Sequence, residues 1–186
     1  MKFPWGLELG AWSLVFLLLV MANAARAQPS REYQVKAVFL FNFAQFTEWP
    51  AEAFAEKDSP LVIGVLGKDP FGSFLDETVH GEIVRGQRLA VERYRTMEEL
   101  KTCHILYISQ SESNRLDGIL EKLKGKPVLT VSDIPGSVPR GMMIRFVTEA
   151  NRIRFRVNAE EAKEAKLSVS SKLLRLADGI VPTKKK

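Results

Sequence analysis

Leu61-Val62-Ile63-Gly64-Val65-Leu66 is an unbroken apolar run of strand length, closed by Gly67-Lys68-Asp69-Pro70. A short run with no polar alternation suits a strand covered on both faces, the habit of parallel sheets. Asp69 is a good N-cap and Pro70 fits a first helical position, so a short helix is predicted over 71–79. A strand that feeds a helix is the unit from which a parallel α/β layer is built.

The same unit recurs downstream. Residues 88–94 alternate, with Leu89, Val91 and Arg93 on one side, and read as a second strand. Thr96-Met97-Glu98-Glu99 has the form of a capping box and opens a short helix. Residues 104–108 are the third strand. A helix from Ser111 or Ser113 to about Lys124 places Leu116, Ile119, Leu120 and Leu123 on one stripe, and 127–131 are the fourth strand. Residues 142–148 and 152–157 flank Glu149-Ala150-Asn151 as a hairpin. Asn158 with Glu161 makes another capping box, opening a helix to about Lys166, and a last short helix spans about 170–177. The predicted class is α/β: a single domain with a mostly parallel central sheet flanked by helices on both sides, closed by a C-terminal hairpin and helices.

Upstream, Ser30 can cap a helix over 31–48 that Trp49-Pro50 ends, because the residue before proline is pushed out of the helical region. Val35, Val38, Phe39, Phe43, Phe46 and Trp49 form one apolar side. Tyr33, Ala37, Leu40, Phe41 and Ala44 form much of the other. A helix apolar all round is buried all round. One side can cover the sheet; the other needs a second layer or another polypeptide. Tyr33, Leu40 and Phe41 are therefore candidate dimer or partner contacts, and Phe41→Glu is expected to weaken such an association.

The first residues read as an export signal. Met1-Lys2 is basic, 7–22 is nearly all apolar, and Ala25-Arg26-Ala27 offers small residues at −3 and −1 of a cut before Gln28. The clean apolar core, about 12 residues, is short of the ~20 that span a bilayer. The expected organisation is a cleaved signal peptide over 1–27, a domain over 30–178 and a flexible basic tail over 179–186. The expected compartment is the periplasm. The net charge of +5 owes much to Lys184-Lys185-Lys186, and no nucleic-acid partner is expected.

The catalytic inventory is thin. His80 and His104 are the two histidines and Cys103 the one cysteine, which excludes an internal disulfide. Cys103 reads as a buried thiol or as half of an intermolecular bridge. No H-E-x-x-H, C-x-x-C or G-x-S-x-G occurs. Cys103 and His104 are neighbours in a strand and so point to opposite faces. No catalytic residue, cofactor or metal is expected. Ligands of open α/β sheets bind beyond the carboxyl ends of the strands. There the chain offers Lys68, Asp69, Ser109, Ser132 and Asp133, a set suited to a small polar or anionic ligand but equally to caps and turns. Arg152, Arg154 and Arg156 alternate along one strand face, which Arg145 could join: a solvated face, or one that meets an acidic partner surface.

Six stretches taken together resemble the YfiR-like family of periplasmic regulatory proteins. They are Tyr33-Gln-Val-Lys36-Ala-Val-Phe39-Leu-Phe-Asn42-Phe43 with Phe46 and Trp49-Pro50; Ile63-Gly64-Val-Leu-Gly67 with Pro70-Phe71-Gly72; Cys103-His104-Ile-Leu-Tyr-Ile-Ser109; Leu129-Thr-Val-Ser132-Asp133; Arg152-Ile-Arg154-Phe155; and Ser170-Ser171-Lys172-Leu173-Leu174. The resemblance covers about Tyr33 to Ala177. It implies a non-enzymatic regulator with a compact α/β fold that forms homodimers. It also implies a partner, the periplasmic domain of an inner-membrane sensor or diguanylate cyclase, held inactive so that cyclic-di-GMP signalling and biofilm formation are restrained. Some relatives carry paired cysteines; Cys103 has no mate, so redox control through an internal bridge does not carry over.

Overall fold

A computed structural model describes residues 30–180, apart from Lys57 and Asn151. The expected signal peptide, and the tail from 181 on, lie outside the described residues.

The chain opens with α1 (Arg31–Phe46), then β1 (Thr47–Glu48), β2 (Leu61–Leu66), α2 (Ser73–Val79), β3 (Ile83–Val84), β4 (Gln87–Tyr94) and β5 (Ile105–Ile108). A 3-10 turn over Gln110–Arg115 leads into α3 (Leu116–Leu123), and β6 (Leu129–Ser132), β7 (Ile144–Glu149) and β8 (Arg152–Val157) follow. The last elements are α4 (Ala159–Glu164), β9 (Ser168–Val169), α5 (Ser171–Leu176) and β10 (Gly179–Ile180). The main sheet has the order β10-β8-β7-β6-β5-β2-β4-β3, and β1 and β9 form a separate two-stranded pair. Strands β4, β2, β5, β6 and β7 run parallel; the β7–β8 hairpin is the antiparallel extension the sequence predicted.

The apolar runs are explained by a core on each face. Ile63, Val65, Ile105, Tyr107, Leu129 and Val131 point to the layer that holds α1 and α2. Leu66, Leu106 and Ile108 point to the opposite layer, where α3 inserts Leu116, Ile119, Leu120 and Leu123. All six residues of β2 are buried, as an apolar run without alternation requires.

The first helix differs from its expected pattern. Its buried residues are Lys36, Ala37, Leu40, Phe43 and Ala44, one stripe drawn from both predicted sides. Phe43 packs among Phe39, Phe146 and Phe155. Its flanks meet α2 and α5, so neighbours in the same layer supply much of the cover for which the sequence left a second layer or another polypeptide open. Leu40, expected on a docking face, is fully buried.

Boundaries also moved. The helix stops at Phe46, and Thr47 turns extended to pair with Val169. Asp69 does not cap α2: its Oδ1 accepts from the Phe71 amide at 2.7 Å in a local turn, and the helix starts only at Ser73. At the Thr96 box, Glu99 takes the amide of Arg95 at 2.7 Å and the Thr96 side chain makes no cap bond. Asn158 does cap α4, accepting from the Glu161 amide at 3.3 Å. Gly179 and Ile180, expected in the tail, lie beside β8 as an edge strand.

Candidate functional site

The strand order puts β4 on one side of β2 and β5 on the other, so the switch point lies between the ends of β2 and β5. In open sheets that crevice is the usual ligand site. Here it is plugged. Gly67 has φ +88, and a Cβ built on it would stand 2.4 Å from Ser111 Oγ and 2.7 Å from Glu112 Oε1. Glu112 is buried against the turn and pairs with Arg115 at 2.7 Å. The five residues expected around a ligand do not converge. Lys68 is exposed and its amide donates to Ser111 Oγ. Asp69 pairs with Arg93 at 2.7 Å. The Ser109 oxygen caps the turn that follows. Ser132 Oγ donates to the Ile108 carbonyl at 2.7 Å and accepts from the Ile134 amide at 3.0 Å, both local ties.

Asp133 is the exception. It follows β6 and lies under the start of α1 with its side chain 5 % exposed. Lys36 Nζ reaches it at 2.6 Å and reaches Glu32 at the same distance. The Tyr33 hydroxyl donates to the same Oδ2 at 3.0 Å, and Lys36 lies 4.4 Å from the centre of the Tyr33 ring. Burial, then the Asp133 charge, push the Tyr33 hydroxyl up to about 12. Tyr107, fully buried at the end of β5, is pushed far up by burial first and by Asp133 second. These groups stay protonated at any ordinary pH, so the cluster is one ammonium between two carboxylates, wrapped in phenols.

A cavity of about 290 Å³ opens beside this cluster, lined by Glu32, Lys36, Asp133, Arg145, Glu149 and Arg156 among others. It follows from unequal strand lengths. β6 pairs with β7 only at Ile144 and Arg145, whereas β7 pairs with β8 up to Glu149. Past Arg145, the β6 side of β7 faces the cavity instead of another strand.

The arginine row lies on the face of β8 away from α1. Arg152 and Arg154 are exposed, Arg154 pairs with Asp178, and half-buried Arg156 has Glu149 at 3.3 Å. Sequence reasoning passed over Lys36. Its signal was a lysine three and four residues ahead of Phe39 and Leu40, on the stripe that had to be buried.

At the other end of α1, Cys103 and His104 diverge as predicted. Cys103 Sγ donates to the Ile105 carbonyl at 3.0 Å, and burial pushes the thiol up to about 12. The His104 ring lies in the α1 layer, stacked on Phe54 at 4.4 Å, with Nδ1 accepting from the Val62 amide at 3.0 Å. Among the described residues, no group of three His, Cys, Asp or Glu is placed to hold a metal ion. Among those same residues, no helix is long and apolar enough to cross a membrane.

Residues 33–178 match the family model described as YfiR/HmsC-like, and the chain belongs to that family. No curated protein matches the chain. The family is periplasmic, regulatory rather than catalytic, and known in the regulation of cyclic-di-GMP signalling.

Proposed function

We propose that this protein is a periplasmic, non-enzymatic regulator that binds the periplasmic domain of an inner-membrane signalling protein of the diguanylate cyclase type and restrains it, limiting biofilm formation. Family membership supports the class of role. The observation that carries the docking is on α1: Val35 and Val38 are 40 % and 44 % exposed on a helix whose other apolar residues are buried or half-buried. They stand one helical turn apart, so they present a single apolar strip. Phe41 is half-buried against the core and contributes its edge. The same strip is the surface proposed for self-association.

The test is a double change, Val35→Glu with Val38→Glu, in the native host carrying a cyclic-di-GMP reporter. Both positions are at the surface, so the thermal midpoint should hold within a few degrees, as surface substitutions cost about 0.5 kcal/mol or less. Reporter output should rise to the level of a strain lacking the protein. Normal restraint by the double variant would overturn the docking face.

A further inference from the structure

We infer that the cavity between α1 and β7 is a carboxylate-binding site, with Arg145 as its principal ligand and Arg156 beside it. Arg145 Nε is buried and has no acceptor among the described residues. A buried guanidinium donor left unmet costs free energy, and such a group in a native fold points to a missing partner. The second observation is the ladder: Arg145 lies directly opposite Arg156 in the β7–β8 pairing. Like charges at that position repel, unless an anion sits between them.

The charges around the cavity single out Arg145. Lys36 is held by Glu32 and Asp133, each at 2.6 Å, and Arg156 has Glu149 at 3.3 Å. The lining balances at three cations and three carboxylates, but among the described residues Arg145 is the one of those cations without an ion pair, and its planar donor fork suits a carboxylate. Three acidic side chains line the same space and repel a dianionic phosphate more strongly than a singly charged carboxylate, which favours the carboxylate. The volume of about 290 Å³ admits a small organic acid or one acidic side chain. Both sources offer the same group, and the site does not depend on the regulatory reading above.

The test is calorimetric titration of the protein with propionate, with inorganic phosphate, and with an end-blocked peptide carrying a single glutamate. Propionate or the peptide should bind saturably and more tightly than phosphate. Arg145→Gln should weaken that binding by about tenfold or more, the size of a lost charge-assisted hydrogen bond. Arg145→Lys should fall between, keeping charge without the fork. Without ligand, Arg145→Gln should raise the thermal midpoint, since it relieves the repulsion with Arg156. Binding of propionate alone assigns a free acid as the occupant, and binding of the peptide assigns a partner's acidic side chain. Phosphate binding best, no saturable binding of either carboxylate, or equal affinity in a folded Arg145→Gln protein overturns the site.

Discussion

The two ends of α1 place polar groups under the same helix by opposite means. At the carboxyl end, His104 is fully buried, stacked on Phe54 and approached edge-on by Trp49. Burial holds the imidazole below its usual pKa, so it packs as a neutral ring. At the amino end, Lys36 and Asp133 are equally buried but charged, and a cavity adjoins them. At the neutral end a cavity of about 230 Å³ is lined by Trp49 and Phe54, which screen the imidazole from it; at the charged end Lys36 and Asp133 line the cavity themselves, beside an unmatched strand. A fold that needed only stability had the neutral solution within reach, as His104 shows. Buried ion pairs add little net stability over apolar packing, which turns attention to what the charged end binds.

The largest effect separating the ends is expected from Asp133→Ala. It strands Lys36 with only the half-exposed Glu32, and breaking one side of a buried pair costs about 3–5 kcal/mol. Replacing both partners, Lys36→Met with Asp133→Leu, should recover most of that loss, because the uncompensated charge is gone. Urea unfolding of the two singles and the double measures the coupling. If the double costs as much as the sum of the singles, the pair is not one electrostatic unit and the contrast between the ends is lost.

The next effect is in pH. The folded pKa of His104 lies below its unfolded value of 6.5. Between those two values the unfolded chain binds the extra proton and the native one does not, so stability rises with pH there. Stability from this group is therefore complete above about pH 6.5 and is lost as pH falls towards the folded pKa, at most about 1.4 kcal/mol per pH unit. Unfolding midpoints from pH 7.5 down to 5 should show the decline, and His104→Gln should flatten it. A variant that keeps the full slope would mean that the imidazole end is not the sensitive one.

Much of this contrast was legible in the sequence and part was not. The unbroken runs at 61–66 and 105–108 announced strands with both faces covered, because local composition alone decides that. The opposite aims of Cys103 and His104 followed from strand geometry. The first helix was divided wrongly because periodicity shows that both sides are apolar, not which neighbour covers each; α2 and α5 decided that. The site was missed for a related reason. Asp133 was singled out, but Lys36 lies 97 residues away and Arg145 reaches the cavity only because β6 stops short. Contacts set by strand length and topology leave no mark at either residue alone.

The smallest effect sharpens the comparison by removing a bond and keeping a shape. Trp49 Nε1 donates to the His104 carbonyl at 3.1 Å, but the Leu129 amide donates to that same oxygen at 2.8 Å. Trp49→Phe therefore leaves the acceptor satisfied and keeps an aromatic edge against the imidazole. The loss should be about 1 kcal/mol, the net worth of one neutral hydrogen bond, with the urea m-value and the His104 pH slope unchanged. A loss near that of Asp133→Ala would show that the neutral end hangs on one polar contact just as the charged end hangs on its ion pair. The distinction between a packed end and an electrostatic end would then fail.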